Sequence, residues 1–275
     1  MKIFRVSNET NLKDFTDCVF PQGGFCLAAL LRGKDIKVNG ARVNKNVPLS
    51  CGDEVVYYTS PKQEAMPSHL TAYEDGNIYI ADKFSGVSTE GLLFELSSRG
   101  EFYAVHRLDR NTRGLIVFAK NKSAEGELLR AFKERKVHKK YIALCENRFK
   151  KDADKMTAYL KKDEKNSLVK ICPNACAGGV EIITEYRILK RNGDVALAEI
   201  TLHTGRTHQI RAHFAYIGCP VLGDGKYGDS AFNKKYSLAR QQLISKHLLF
   251  DVGGGLSYLN GRVFESCFDF SDFQF

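Results

Sequence analysis

One carboxylate, Asp109, stands among Arg107, Arg110 and Arg113 in the run His106-Arg107-Leu108-Asp109-Arg110-Asn111-Thr112-Arg113-Gly114, just ahead of the apolar stretch Leu115-Ile116-Val117-Phe118. Nearby cations favour the charged form of a carboxylate, so Asp109 is available as a nucleophile or as the partner of a cationic group. The same residues also describe a salt-bridged turn before a core strand. Taken alone, the stretch fits both readings.

Two further segments bear on the choice. Lys139-Lys140-Tyr141-Ile142-Ala143-Leu144 reads as a strand that begins on two lysines. Gly205-Arg206-Thr207-His208-Gln209-Ile210-Arg211-Ala212-His213 leads through Gly218 and Pro220 to the glycine-rich Gly223-Asp224-Gly225-Lys226-Tyr227-Gly228. That last loop lacks the G-x-x-x-x-G-K-[ST] pattern, so no nucleotide cofactor is expected there. Neither a G-x-S-x-G elbow nor an H-E-x-x-H pair occurs. The eight cysteines are scattered, and Cys172-x3-Cys176 with His203 and His208 falls short of a four-ligand zinc pattern. Reduced thiols and no bound metal are therefore expected.

Holding such residues in place takes a folded core. With 275 residues, 43% apolar and 27% charged, the chain has enough for one large domain or two ordinary ones. A formal net charge of +9 suits a polyanionic partner, through phosphate contacts that release counterions. Lys and Arg are dense between residues 130 and 170, including Lys165, with six acidic residues among them. That region is either a solvated face or a surface that tracks phosphates. The N-terminus has no signal-peptide core and no apolar run can span a bilayer, so a soluble, cytoplasmic chain is expected.

Residues 1–60 read as a small α+β module. Helices are predicted over Asn11 to Cys18 and Phe25 to Arg32, separated by the breaker Pro21-Gln22-Gly23-Gly24, with Gly33 as a C-cap. Strands follow at Asp35 to Gly40, ending in an Asn-Gly turn, and at Asp53 to Tyr58. Residues 61–72, bracketed by prolines, read as a linker, and 73–275 as the larger domain. Within it the pattern predicts a turn at Asp75-Gly76 and an amphipathic helix from Ser123, as N-cap, to Glu134. Strands over Glu181 to Leu189 and Val195 to His203 are joined at Asn192-Gly193, and His208 to Tyr216 is helical. The tail, Phe268 to Phe275, alternates aromatic and polar residues and suits an edge strand or a loose end.

The three segments, in this order, resemble the RluA-type pseudouridine synthase family. The first is similar to its H-R-L-D-x-x-T-x-G box; the third follows G-R-T-H-Q-I-R-x-H…G-x-P…G-D-x-x-Y-G almost residue for residue. The resemblance covers roughly residues 73–270. Residues 1–60 resemble the S4 RNA-binding module through Lys37-Val38-Asn39-Gly40 and Gly52-Asp53-Glu54-Val55, although the second helix, Phe25 to Leu31, is apolar where such modules are basic. That departure suits a docking unit as well as an RNA-binding one.

The resemblance implies an RNA-modifying isomerase of α+β fold, with a mixed, largely antiparallel sheet and flanking helices behind the S4-like module. It implies a reaction without metal or cofactor, a monomer, and ribosomal RNA as substrate, with tRNA or RNA binding without turnover as the alternatives. Asp109 matches the family's catalytic aspartate, Arg211 the arginine that pairs with it, and Tyr141 the active-site tyrosine. Arg107, Arg110, Lys140, Arg206 and His208 are the expected RNA contacts, Arg107 as filler of the space left by a flipped base. His106, His208 and His213 are expected to make hydrogen bonds within their motifs. Three departures surround the implied cleft: Phe84 replaces the proline of a K-P-x-G loop, Arg113 replaces a small residue, and Leu243-Ile244-Ser245 replaces L-H-A.

Overall fold

A computed structural model describes residues 1–163 and 168–271; Lys165 and the last four residues of the tail lie outside the described residues. The N-terminal unit holds β1 (Lys2–Arg5), β2 (Thr10–Asn11), α1 (Leu12–Val19), α2 (Pro21–Phe25), α3 (Leu27–Gly33), β3 (Ile36–Val38), β4 (Ala41–Val43), β5 (Pro48–Leu49) and β6 (Glu54–Tyr57). Strands β1, β6, β3 and β4 form an antiparallel sheet in that order. Leu12, Phe15, Leu27 and Leu30 of the helices share one core with Ile36, Val55 and Tyr57 of that sheet.

Local details depart from the pattern. Pro21–Phe25 is a helical turn rather than a break, because proline in a first turn lacks only an N–H that the helix does not use. Gly33 ends α3, and Lys34, at φ 56°, takes the left-handed position after it. After β6 comes α4 (Pro61–Glu64), opened by a capping box between Ser60 and Gln63. The stretch expected as a linker is thus partly helical, and the next strand begins at His69.

That strand opens the larger unit: β7 (His69–Glu74), β8 (Ile78–Lys83), α5 (Thr89–Ser97), β9 (Tyr103–Ala104), β10 (Arg113–Ala119), α6 (Lys122–Lys133), β11 (Val137–Glu146), β12 (Ala153–Asp163) and β13 (Leu168–Cys172). It continues with β14 (Gly179–Asn192), β15 (Val195–Leu202), α7 (Gln209–Tyr216), α8 (Ser230–Lys235), β16 (Leu243–Phe250) and β17 (Val263–Glu265). One sheet runs β13-β12-β14-β15-β11-β16-β10-β8-β7, with β9 beside β10 and β17 beside β16. Among the described strands only β10 and β16 pair in parallel, so the fold is α+β around a mixed, largely antiparallel sheet.

Strand alternation divides the core. Ile116 and Phe118 of β10 pack with Leu92 and Leu96 of α5 and with Ile210 and Phe214 of α7. Leu115 and Val117 point the other way, onto Ala124, Leu128 and Ala131 of α6. Covered on both faces, β8 is buried at every residue. Helix α6 is capped by Asn121, whose side chain accepts from the Ala124 N–H, rather than by Ser123. The described part of the tail forms no edge strand. Phe268 and Phe270 instead lie 5.6 and 5.7 Å from the Arg113 guanidinium.

Candidate active site

Asp109 stands in the loop between β9 and β10. Its carbonyl accepts from the Thr112 N–H at 3.0 Å. Beneath the loop lies Lys83, fully buried, its Nζ within hydrogen-bond distance of the carbonyls of Val87, Arg110, Phe84 and Asp109, at 2.8, 3.1, 3.2 and 3.3 Å. Burial pushes its pKa down to about 7, and these contacts tie the loop after β8 to the Asp109 loop. Gly114, where the loop enters β10, has φ 103°, and a Cβ there would lie 2.3 Å from the Ser245 carbonyl oxygen. Only glycine lets β10 and β16 meet so closely. Phe84, where the resemblance leads one to expect proline, donates its N–H to the Ser68 carbonyl at 2.9 Å, a bond proline cannot make.

Across the loop, α7 presents Arg211. Its Nη1 donates to Asp109 Oδ2 at 2.7 Å, while Nε and Nη2 donate to Asp224 Oδ2 and Oδ1 at 2.7 and 2.9 Å. Asp224 Oδ1 also accepts from the N–H groups of Lys226 and Tyr227. Burial pushes the Asp224 carboxyl up, but Arg211 and those N–H groups hold it below its ordinary value. Burial likewise opposes the Arg211 charge, and the two carboxylates more than offset it. Asp224 carried no assigned role in the sequence reading; its place in a buried bidentate pair gives it one.

Tyr141, on β11, is buried and lies opposite Ser245 of β16. Burial raises its phenol, the Ser245 hydroxyl works against that rise, and the Asp109 charge adds to it. His208 opens α7 at φ 57°, its Nδ1 sharing a hydrogen bond with the Tyr227 hydroxyl at 2.9 Å and its Nε2 lying 3.9 Å from Asp109 Oδ2. Asp109, Tyr141, His208 and Arg211 together line a cavity of about 330 Å³, walled on its apolar side by Leu202, Ile210 and Leu243. A carboxylate, a fixed guanidinium and a buried phenol around an apolar slot suit a flat heterocycle and proton movement.

Residues 57–216 match the family of RNA pseudouridylate synthases. A ribosomal large subunit pseudouridine synthase C of Vibrio cholerae is 33% identical over 250 residues, covering 80% of this chain and 78% of that protein. The chain belongs to the RNA pseudouridine synthase family. A further relative, an uncharacterized RNA pseudouridine synthase of Aquifex aeolicus, is 37% identical over 70% of this chain and 68% of its own length. The fold agrees with that of human RNA pseudouridylate synthase domain containing 1, with a TM-score of 0.60 at 23% identity over 73% of this chain and 83% of the other. The chain is accordingly an isomerase that converts uridine in RNA to pseudouridine.

Around the cavity of this pseudouridine synthase, Arg107 is exposed at the rim and pairs with Glu90 at 3.6 Å. Arg206 is exposed and also lines the cavity. Two of the expected RNA contacts lie off the lining of this cavity. Lys140 points away, toward Glu199 at 3.6 Å, because successive strand residues face opposite sides; Lys139 shares the face of Tyr141 and lines the cavity. Arg110 is engaged inside the protein, in an ion pair with Asp17 of α1 and in bonds to the carbonyls of Gly24 and Gly86. Together with Arg240, which donates to Ser85 and Phe25 carbonyls, it fastens the N-terminal unit beside the Asp109 loop. A second cavity, about 710 Å³, lies there between Lys13 of α1, Asp109 and Lys226.

The histidines make the hydrogen bonds expected of them. His106 Nε2 accepts from the Val117 N–H at 3.0 Å and stacks on Phe132, with burial pushing it down to about 3. His213 is buried, hydrogen-bonded to Thr184 Oγ1 at 3.0 Å, and pushed down to about 4. Arg113 faces the tail aromatics rather than the cavity, so it does not border the cleft as its place in the sequence implied. Among the described residues no group of three or more His, Cys, Asp or Glu could hold a metal, and no helix is long and apolar enough to cross a membrane.

Proposed function

We propose that this pseudouridine synthase modifies large-subunit ribosomal RNA, with Asp109 as the reacting carboxylate and without a metal or nucleotide cofactor. The names of the curated relatives support that RNA class. One observation carries the chemistry: Arg211 takes Asp109 Oδ2, while Oδ1 makes no hydrogen bond among the described residues and Asp109 lines the cavity. Addition to C1′, addition to C6 and removal of a ribose proton are the routes open to a carboxylate here. In each, the oxygen not tied to Arg211 is the reacting atom.

Net isomerisation breaks the C1′–N1 bond, forms a C1′–C5 bond, releases the C5 proton and leaves N1 protonated. Tyr141, kept as a phenol by burial, stacks against uracil and takes the C5 proton while passing its own hydroxyl proton on through solvent toward N1. Arg211 aims Asp109, and His208 stands beside the same oxygen. A uridine inside folded RNA has to leave its stack to reach the cavity. Arg107, the exposed cation on the rim, fills the vacated space. The S4-like unit serves as a docked wall rather than a separate RNA clamp; the Asp17–Arg110 pair and its apolar third helix support that role. The enzyme works as a monomer in the cytoplasm.

Mapping pseudouridines by carbodiimide adducts and primer extension, in total RNA from a deletion strain and its complemented control, tests the substrate. Loss of specific sites in large-subunit ribosomal RNA is the expected result. Loss confined to tRNA would overturn the ribosomal assignment and keep the chemistry; no lost site in either would overturn both.

A further inference from the structure

Beside the uridine cavity, past Lys139 and Arg206, lies a groove of about 650 Å³ between the end of α6, the start of β11 and the turn after β15. The two spaces share Phe132, Lys139, Leu202, Gly205 and Arg206 in their walls, so they are immediate neighbours. The groove is lined by Lys133, Arg135, His138, Lys139, Lys155 and Arg206 and, among the described residues, by no acidic one. His203, also in the wall, is taken up by Glu185. Lys133, Arg135, Lys155 and Arg206 are exposed and have no acidic partner among the described residues. Elsewhere on this surface lysines and arginines commonly sit beside carboxylates, as in Lys151–Asp154 and Arg187–Glu199.

Arg135 adds an independent sign. It occupies the left-handed position after α6, at φ 61°, where glycine is the residue without strain. Its N–H bonds the Phe132 carbonyl and that of Lys136 bonds Ala131, the closing pattern of a helix end, so the backbone requires this conformation. The position carries a long cationic side chain at some cost to the backbone, as Lys34 does after α3, and here that side chain lines the groove. Lys139, half-buried at the junction, lies 5.4 Å from the centre of the Phe132 ring and pairs with no carboxylate among the described residues.

We propose that this basic groove is the track for the phosphodiester backbone next to the flipped uridine, with Lys139 and Arg206 on the phosphates nearest the target and Lys133, Arg135 and Lys155 on those beyond. The inference rests on the reading of the neighbouring cavity as the uridine site. A flipped nucleotide remains joined to its strand, so the strand must leave the cavity by a wall that accepts negative charge. Phosphate contacts of this kind set affinity and its salt dependence and carry no base readout.

The test uses the full-length enzyme and a fragment of large-subunit ribosomal RNA. Lys133→Ala, Arg135→Gly and Lys155→Ala are combined, since none of the three lines the uridine cavity and glycine suits the backbone at 135. The expected result is affinity weaker by on the order of tenfold and a slope of log K against log salt shallower by about 2, at an unchanged kcat with saturating RNA. Arg135→Gly alone is expected to weaken binding without lowering the melting temperature. Neutralising the exposed Lys62, Lys150 and Lys234, which line neither space, is expected to change the slope far less. A triple variant with wild-type affinity and slope, or one no weaker than this control, would overturn the groove assignment. If the wild type makes no pseudouridine in the fragment, the uridine-site reading fails instead, and the binding slopes still report on the groove.

Discussion

Arg211 reaches Asp109 with one nitrogen, Nη1 to Oδ2 at 2.7 Å, while Asp224 holds its other two nitrogens from below. The guanidinium plane is therefore fixed before it meets the Asp109 carboxylate. A lone Arg–Asp contact leaves both side chains free to swing; a fork held at its base cannot.

Asp224 accordingly acts through Arg211. Asp224→Asn removes the charge that orients the fork and is expected to lower kcat about a hundredfold, with KM for RNA changed little. Asp224→Ala leaves a buried guanidinium short of a partner and is expected to cost about 3–5 kcal/mol of stability. Single-turnover kinetics and urea unfolding check the two effects. Wild-type kcat in the asparagine variant would remove Asp224 from the site.

The ion pair between Asp17 and Arg110 couples the N-terminal unit to the same loop. Arg110→Ala is expected to destabilise the protein by about 1–3 kcal/mol, since Asp17 is left buried and unpaired. RNA affinity is expected to stay within a few fold, because the Arg110 guanidinium is taken up by Asp17 and by the Gly24 and Gly86 carbonyls and does not line the cavity of Tyr141 and Arg211. A double-mutant cycle with Asp17→Ala should give a coupling energy above about 1 kcal/mol. Additive effects, or a large loss of RNA binding, would restore Arg110 to the RNA surface.

How far the sequence led is visible in these pairs. Asp109, Tyr141 and Arg211 were legible because their motifs are dense, and they converge as the motifs imply. The long antiparallel hairpin of β14 and β15 was also legible, from alternating residues around Asn192-Gly193. Strands β12 and β13 were not, since β12 carries Lys155, Lys161, Lys162 and Asp163 and lies toward one end of the sheet, where alternation is weak. Lys139 was missed for Lys140, although counting two residues back from Tyr141 identifies it. Arg110 could not be assigned from sequence, because its partner Asp17 lies 93 positions away.

Arg113 stands against Phe268 and Phe270, and burial lowers its basicity despite Asp269 and Asp82 nearby. Arg113→Ala is expected to cost about 0.5–2 kcal/mol through lost cation–π contact. The set of modified uridines is expected to stay the same. Thermal melts and pseudouridine maps of complemented cells read the two quantities, and an altered map would bring Arg113 back as a determinant of substrate choice.

His213, buried and neutral, predicts a specific acid response. Its proton affinity falls on folding, from an ordinary value near 6.5 to about 4. Between those values the unfolded chain binds a proton that the native protein does not, so stability falls as pH drops through this window. Replacing His213 with glutamine, which can still bond Thr184, is expected to remove about one proton from the slope between pH 4 and 6. That is about 1.4 kcal/mol per pH unit. Urea unfolding at a series of pH values measures it, and an unchanged slope would mean that His213 titrates normally in the fold.

The most direct measurement is made on Asp109→Asn, which keeps the shape of the side chain and removes its charge and nucleophilicity. Purified variant and wild type are compared on a ribosomal RNA substrate for pseudouridine formed and for RNA affinity. The expected result is no detectable pseudouridine from the variant, with affinity within a few fold of wild type. Pseudouridine formed at the wild-type rate would contradict the assignment of Asp109 as the reacting group.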